Sequence, residues 1–213
     1  GRLAQCPADV LSRRLGKMGT LLHMFANGRD ISPVQKTEHI RTIKSVGNSA
    51  TTPRDLTCDD DVHLMLFLLA ESVAARMREL ASRCRVVEVY IRDKQLRSFT
   101  RQKKLQSPSC SSMEIANTAF SLFRVNYRWD NPIRSIGVRG AELVPMNECV
   151  QISLYPEDQR REKWERIDIA VDQLRQRYGY MSVRRALVMA DPLLSRINPK
   201  DDHTVHPVGF FGG

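Results

Sequence analysis

The chain has 213 residues, 42% of them hydrophobic and 27% charged, which is enough apolar material to bury a core and excludes disorder as the main state. Its 33 Lys and Arg outnumber the 24 Asp and Glu, and the resulting formal charge of +9 favours a polyanionic partner, nucleic acid first among them. The longest largely apolar run, 62–70, is far short of the ~20 residues of a bilayer-crossing helix and is followed directly by Glu71, so no membrane role is expected.

The five cysteines, at 6, 58, 84, 110 and 149, are odd in number and scattered, with neither a CxxC pair nor zinc-finger spacing. A reducing cytoplasm suits them best. The N-terminal Gly1–Cys6 stretch has none of the features of a secretory signal.

In chain order, residues 1–27 have Leu3, Val10, Leu11, Leu15, Leu21, Leu22 and Phe25 at helical spacing, interrupted by Gly16 and Gly19, which predicts a helical hairpin. Residues 28–39 are polar, contain Gly and Pro, and predict a linker. A strand over 40–46 is expected to stop at the turn-forming pair Gly47-Asn48. A long helix follows, with Thr57 as its cap, Asp59, Asp60 and Asp61 in its first turn, and Val62, Met65, Leu66, Leu69, Val73, Met77 and Leu80 on one apolar face. Residues 86–92 alternate as a half-buried strand, 93–96 turn, and 97–104 return as the next strand. Ser111 and Glu114 form a capping box for a second helix that buries Ala116, Phe120, Phe123 and Tyr127, and a strand over 134–140 completes a βαββαβ unit.

The predicted fold class is therefore α+β: a four-stranded sheet with two helices on one face, the other face free and basic, spanning residues 40–147. Residues 148–213 form a mainly helical tail, in which Trp164, Ile167, Val171, Leu174 and Tyr178 make the apolar face of one amphipathic helix.

The hairpin from Arg85 to Lys104 carries seven basic residues (85, 92, 94, 97, 101, 103, 104) against the acids 88 and 93. On a sheet, with strands ~4.8 Å apart, such side chains form a grid able to follow a phosphate backbone, although a solvated outer face would have the same composition. Lys44, Arg41 and Arg139 on the outer strands favour nucleic acid. Gly16-Lys17-Met18-Gly19 resembles a phosphate-gripping turn, and a plain helix connection explains it equally well. Gln151-Ile152-Ser153-Leu154-Tyr155 has the composition of a short peptide that seats its Leu and aromatic in a partner's pocket, or of an ordinary edge strand. His203 and His206 beside Asp201 and Asp202 lack a rigid frame, so no metal site is assigned. No nucleophile elbow, P-loop or dinucleotide motif occurs, and no catalytic residue is identified.

The succession 3–7, 15–19, 26–30, 44–49 and 53–56 resembles Y-family translesion DNA polymerases of the DNA polymerase IV and ImpB/MucB/SamB type. The resemblance implies that 1–27 is part of the thumb and 40–147 the little finger, a domain that lies in the DNA major groove and grips phosphates without reading bases. By family position it assigns Lys44, Ser45, Gly47, Asn48, Arg97, Thr100, Arg101 and Lys103 to DNA. These join Gly16, Lys17, Gly19, Arg92 and Arg139 as candidate DNA-binding residues. Residues 151–155 are similar to the Gln-Leu-x-Leu-Phe peptide that docks bacterial polymerases on the sliding clamp, from which Ile152 and Tyr155 depart conservatively. The partners so implied are duplex primer–template DNA and the bacterial clamp. The palm and its Mg²⁺-holding carboxylates are expected to precede Gly1, so this chain alone should not synthesise DNA and carries no cofactor of its own. A stand-alone nucleic-acid-binding or clamp-interaction module is the alternative.

Overall fold

The computed structural model describes residues 1–34, 43–148 and 156–197, the side chains of 156–161 excepted. The chain divides into two compact units, 1–42 and 43–213.

In the first unit, helices α1 (Arg2–Gln5), α2 (Ala8–Leu15) and α3 (Lys17–Ala26) follow one another closely. Gly16 ends α2 with φ +62°, a conformation that favours glycine, and donates its N–H to the Ser12 carbonyl at 2.8 Å. Gly19 does not interrupt the helix as expected. It is buried inside α3, where an added Cβ would meet the Leu11 carbonyl oxygen at 2.1 Å, so close approach to α2 rather than chain reversal explains this glycine.

The second unit is built on a four-stranded sheet in the order β1 (Ser45–Leu56), β4 (Ile133–Pro145), β2 (Ser82–Asp93), β3 (Ser98–Ser109), with every neighbouring pair antiparallel. Helices α4 (Asp59–Glu79) and α5 (Ser112–Asn126) pack on one face, giving the α+β βαββαβ architecture. Val62, Met65, Leu66, Leu69, Val73 and Met77 of α4 are fully buried against Val87, Val89 and Ile136 of the sheet and Ile115, Ala116 and Phe123 of α5. Each large side chain contributes about 1.5–3 kcal/mol of apolar burial. Leu80, expected on the same face, is exposed.

Several boundaries differ from expectation for tertiary reasons. β1 begins at Ser45 and runs through Gly47-Asn48, because these residues pair with Arg139 and Val138 of β4 rather than turning. A Cβ on Gly47 would lie 3.2 Å from Cβ and Cγ of Arg139, so the glycine here admits a neighbouring side chain. Thr57 does not cap α4. The N-cap is Cys58, and Asp61 instead turns back to accept the Thr57 N–H at 3.1 Å. The Ser111 hydroxyl has no partner, and the Ser112 N–H at the start of α5 is taken by Asp168 at 2.8 Å, so the cap comes from a distant helix rather than from a local box.

That helix, α6 (Pro156–Tyr178), turns its expected apolar face only partly inward, with Trp164 and Val171 half-buried. Ile167, Leu174 and Tyr178 are exposed at 36%, 43% and 62%, while Glu165 and Asp168 are buried. The surface it meets is charged. Arg83 binds Glu165 at 2.9 Å, Arg78 binds Asp172 at 2.6 Å, Arg175 binds Glu71 at 3.0 Å, and Arg185 bridges Asp168 at 2.8 Å and Glu71 at 3.2 Å. Trp164 is half-buried beneath the Arg185 guanidinium. Beyond α6, the 3₁₀ turns Ala186–Ala190 and Leu194–Arg196 insert Val188 and Leu194 into the core, and Asp191 pairs with Arg54 at 2.6 Å. Residues 162–197 therefore pack on the sheet domain as a further layer.

Candidate nucleic-acid interface

Strand side chains alternate between faces, so the pairing registers assign each residue to a side. Opposite the helices, four rows cross β1, β4, β2 and β3 in that order: Ser45, Ala141, Val86, Lys104; then Gly47, Arg139, Glu88, Gln102; then Ser49, Gly137, Tyr90, Thr100; then Thr51, Ser135, Arg92, Ser98. Val86 is buried but stands outside the core cluster, as this placement requires. The face is floored by glycines and short hydroxyl side chains, which let another molecule come close to the sheet. Three cations, Lys104, Arg139 and Arg92, and one acid, Glu88, stand on it. Arg139 binds Glu88 at 3.2 Å, and Thr51 and Ser135 share a hydroxyl bond of 3.0 Å across β1 and β4. A shallow depression in the middle rows is walled by Tyr90, Thr100, Arg139 and Arg76, the last reaching from α4 to donate to the Gly47 carbonyl at 3.1 Å.

The register divides the residues singled out from the sequence. Ser45, Gly47, Arg92, Thr100 and Arg139 share the outer face. Asn48 lies on the other side, 5% exposed, with its amide donating to Ser72 of α4 at 3.2 Å. Arg101 and Lys103 pair with Val89 and Val87, whose side chains enter the core, so both project from the helix side of the edge strand. Arg101 accordingly donates to Asn126 of α5 at 3.2 Å and covers the Phe99 ring. Arg97 closes the hairpin against Asp93 at 3.0 Å, and Lys44 is exposed just before β1. The cations thus rim the sheet edges as much as they stand on its face. In the first unit, Gly16 and exposed Lys17 lie at the start of α3, while Gly19 is committed to packing. Arg41, residues 151–155, and Asp201, Asp202, His203 and His206 lie outside the described residues.

The sequence reasoning missed Ser49, Thr51, Ser98, Gln102, Ser135 and Arg76. Period-two alternation carried through β1, β3 and β4 as well as β2 would have found the strand residues, whereas Arg76 comes from a helix and has no local signal.

Elsewhere the titrating groups are structural. The Arg54 guanidinium holds Asp61 and Asp191 below the usual carboxylate range, with hydrogen bonds to each as the largest cause. Burial pushes the Cys84 and Cys110 thiols up to about 12. Among the described residues no group of three or more His, Cys, Asp or Glu side chains comes together to hold a metal ion. No helix among the described residues is long and apolar enough to cross a membrane.

The fold and this face define an α+β sheet domain with a free polar face and helices covering the other. The chain belongs to the impB/mucB/samB family, whose C-terminal domain it matches over residues 43–154, and so carries the C-terminal domain of a Y-family DNA polymerase. It is 43% identical over 197 residues to the DNA polymerase IV of Acetivibrio thermocellus, covering 92% of this chain and 49% of the relative. It is 34% identical over 187 residues to that of Moorella thermoacetica, covering 88% and 46%. A solved Y-family DNA polymerase chimera superposes with a TM-score of 0.49 at 18% identity, over 67% of this chain and 40% of that chain. The chain spans about half the length of the curated relatives it matches.

Proposed function

We propose that this chain is the DNA-gripping and clamp-tethering portion of a translesion polymerase, acting in the cytoplasm during lesion bypass and repair. Its outer sheet face would lie against primer–template duplex and hold phosphates without reading bases. The observation that supports this most is the face itself: a floor of Gly47, Gly137, Ser49 and Ser135 low enough for a backbone to approach, with Arg92, Arg139 and Lys104 placed to neutralise it. Short hydroxyls donate to phosphate oxygens of any sequence, which suits an enzyme that copies whatever template it meets. Lys44 on one sheet edge and Arg97, Arg101 and Lys103 on the other would serve the flanking phosphates or remain solvated.

A base-stacking RNA module is disfavoured, because Tyr90 is the single aromatic among the sixteen outer-row residues, whereas single-stranded RNA recognition uses several. Gln151 to Tyr155 would dock the chain on the sliding clamp, Leu154 and Tyr155 entering an apolar pocket and Gln151 bonding at its rim.

The test is fluorescence anisotropy of a labelled primer–template duplex across several salt concentrations, with single-stranded RNA as competitor. Sequence-independent duplex binding that weakens with salt is expected, and Arg92→Ala should make the log–log slope shallower by roughly 0.9. No duplex binding, or a preference for the RNA, would refute the proposal.

A further inference from the structure

We propose that Glu88 limits how tightly this face holds a duplex, by keeping Arg139 partly bound to the protein; the inference rests on the DNA-gripping function proposed above. Glu88 occupies an inner position of the grid, between Arg139 on β4 and Gln102 on β3, in the row that begins with Gly47. A carboxylate there faces the phosphates directly and opposes their approach. It is also the partner of Arg139: Nη1 donates to Oε1 at 3.2 Å, with 52% of the arginine side chain and 20% of the glutamate exposed. Because Gly47 has no side chain, the stem of Arg139 fits beside it, where an added Cβ would lie 3.2 Å from Cβ and Cγ of the arginine.

Two consequences follow for a bound duplex. Arg139 must leave or share Glu88 whenever it engages a phosphate, so it contributes less than one full charge to the hold. It also has a carboxylate to return to when that phosphate moves away, which lowers the barrier to passing from one phosphate to the next. A polymerase domain has to let the duplex advance after every added nucleotide, and a cation that alternates between an internal acid and the DNA permits this where an unpaired one would hold fast.

Glu88→Gln keeps the size of the side chain and an oxygen for Arg139 while removing the charge. Duplex affinity at low salt should rise about three- to tenfold, and the log–log salt slope should steepen by less than the ~0.9 of a whole phosphate contact, as the share of Arg139 held by Glu88 becomes available to the DNA. Most of the gain should lie in slower dissociation. Glu88→Asp should restore behaviour close to that of the original protein. In an Arg139→Ala background, Glu88→Gln should steepen the slope less than it does beside Arg139, since only the carboxylate's own repulsion then remains to be removed. A merely structural role for Glu88 would shift the melting temperature and leave the slope alone. If the unsubstituted protein binds duplex with salt-dependent affinity while Glu88→Gln changes neither affinity nor slope, the role of Glu88 is overturned and the DNA grip stands. If the unsubstituted protein binds no duplex at all, both are overturned.

Discussion

Asp168 of α6 provides the sharpest test of how the outer layer is attached. Its side chain is 3% exposed and accepts the Ser112 N–H at 2.8 Å and Arg185 at 2.8 Å, with Arg78 at 3.5 Å. Asp168→Ala strips all three contacts at once. Removing one member of a buried ion pair costs about 3–5 kcal/mol when the partner is left stranded. Here each cation keeps a second acceptor, Arg78 on Asp172 at 2.6 Å and on the Cys110 carbonyl at 2.7 Å, Arg185 on Glu71 at 3.2 Å. The Ser112 N–H at the start of α5 loses its carboxylate acceptor, so a loss of about 3 kcal/mol is the reasonable total. With a urea m-value of about 2 kcal/mol/M, the midpoint should fall by about 1.5 M. Far-UV circular dichroism follows the unfolding, and tryptophan fluorescence adds a local signal through Trp164, which lies beneath Arg185. Arg166→Ala, on the solvent side of the same helix where the side chain is 80% exposed, should leave the midpoint unmoved. A shift below about 0.5 M for Asp168→Ala, or an equal shift for the two variants, would refute the claim that α6 is held by its charged face.

Acid should loosen the Arg54 cluster. Asp61 and Asp191 bind protons more weakly in the folded protein than in the unfolded chain, so their stabilisation is complete above the ordinary value of 3.8 and is lost as pH falls below it. Arg54→Ala should therefore reduce stability at pH 6 and flatten its decline below pH 4 in a melting-temperature series; an unchanged acid slope would contradict this assignment. Gln151→Ala combined with Leu154→Ala should abolish clamp binding in a pull-down and leave duplex affinity nearly unchanged. Persistent clamp binding would remove the motif from consideration.

What the sequence shows clearly is what is local and periodic. The acids at 59–61 ahead of a run repeating every three to four residues specify α4, because dipole and burial act on the same segment. The alternation at 87, 89 and 91 specifies β2 as half-buried, and the family match over 43–154 takes in two of the five stretches that carried the resemblance, 44–49 and 53–56.

Side-chain direction on the other strands was not legible, because one residue of register moves a side chain to the opposite face and register is decided by the pairing partner. This is why Asn48, Arg101 and Lys103, indistinguishable from Ser45 and Arg92 by composition and charge, end on the helix side. It is also why Gly47-Asn48, a turn by propensity, runs straight through a strand once β4 lies beside it. The orientation of α6 was illegible for a related reason. Its apolar spacing describes an ordinary amphipathic helix, but the surface it meets carries Glu71, Arg78 and Arg83, and charges buried together must be paired. By itself the sequence determined the elements, the family and the sign of the charge; the tertiary structure alone decided which face each charge serves, since pairing and burial between distant segments set that free energy.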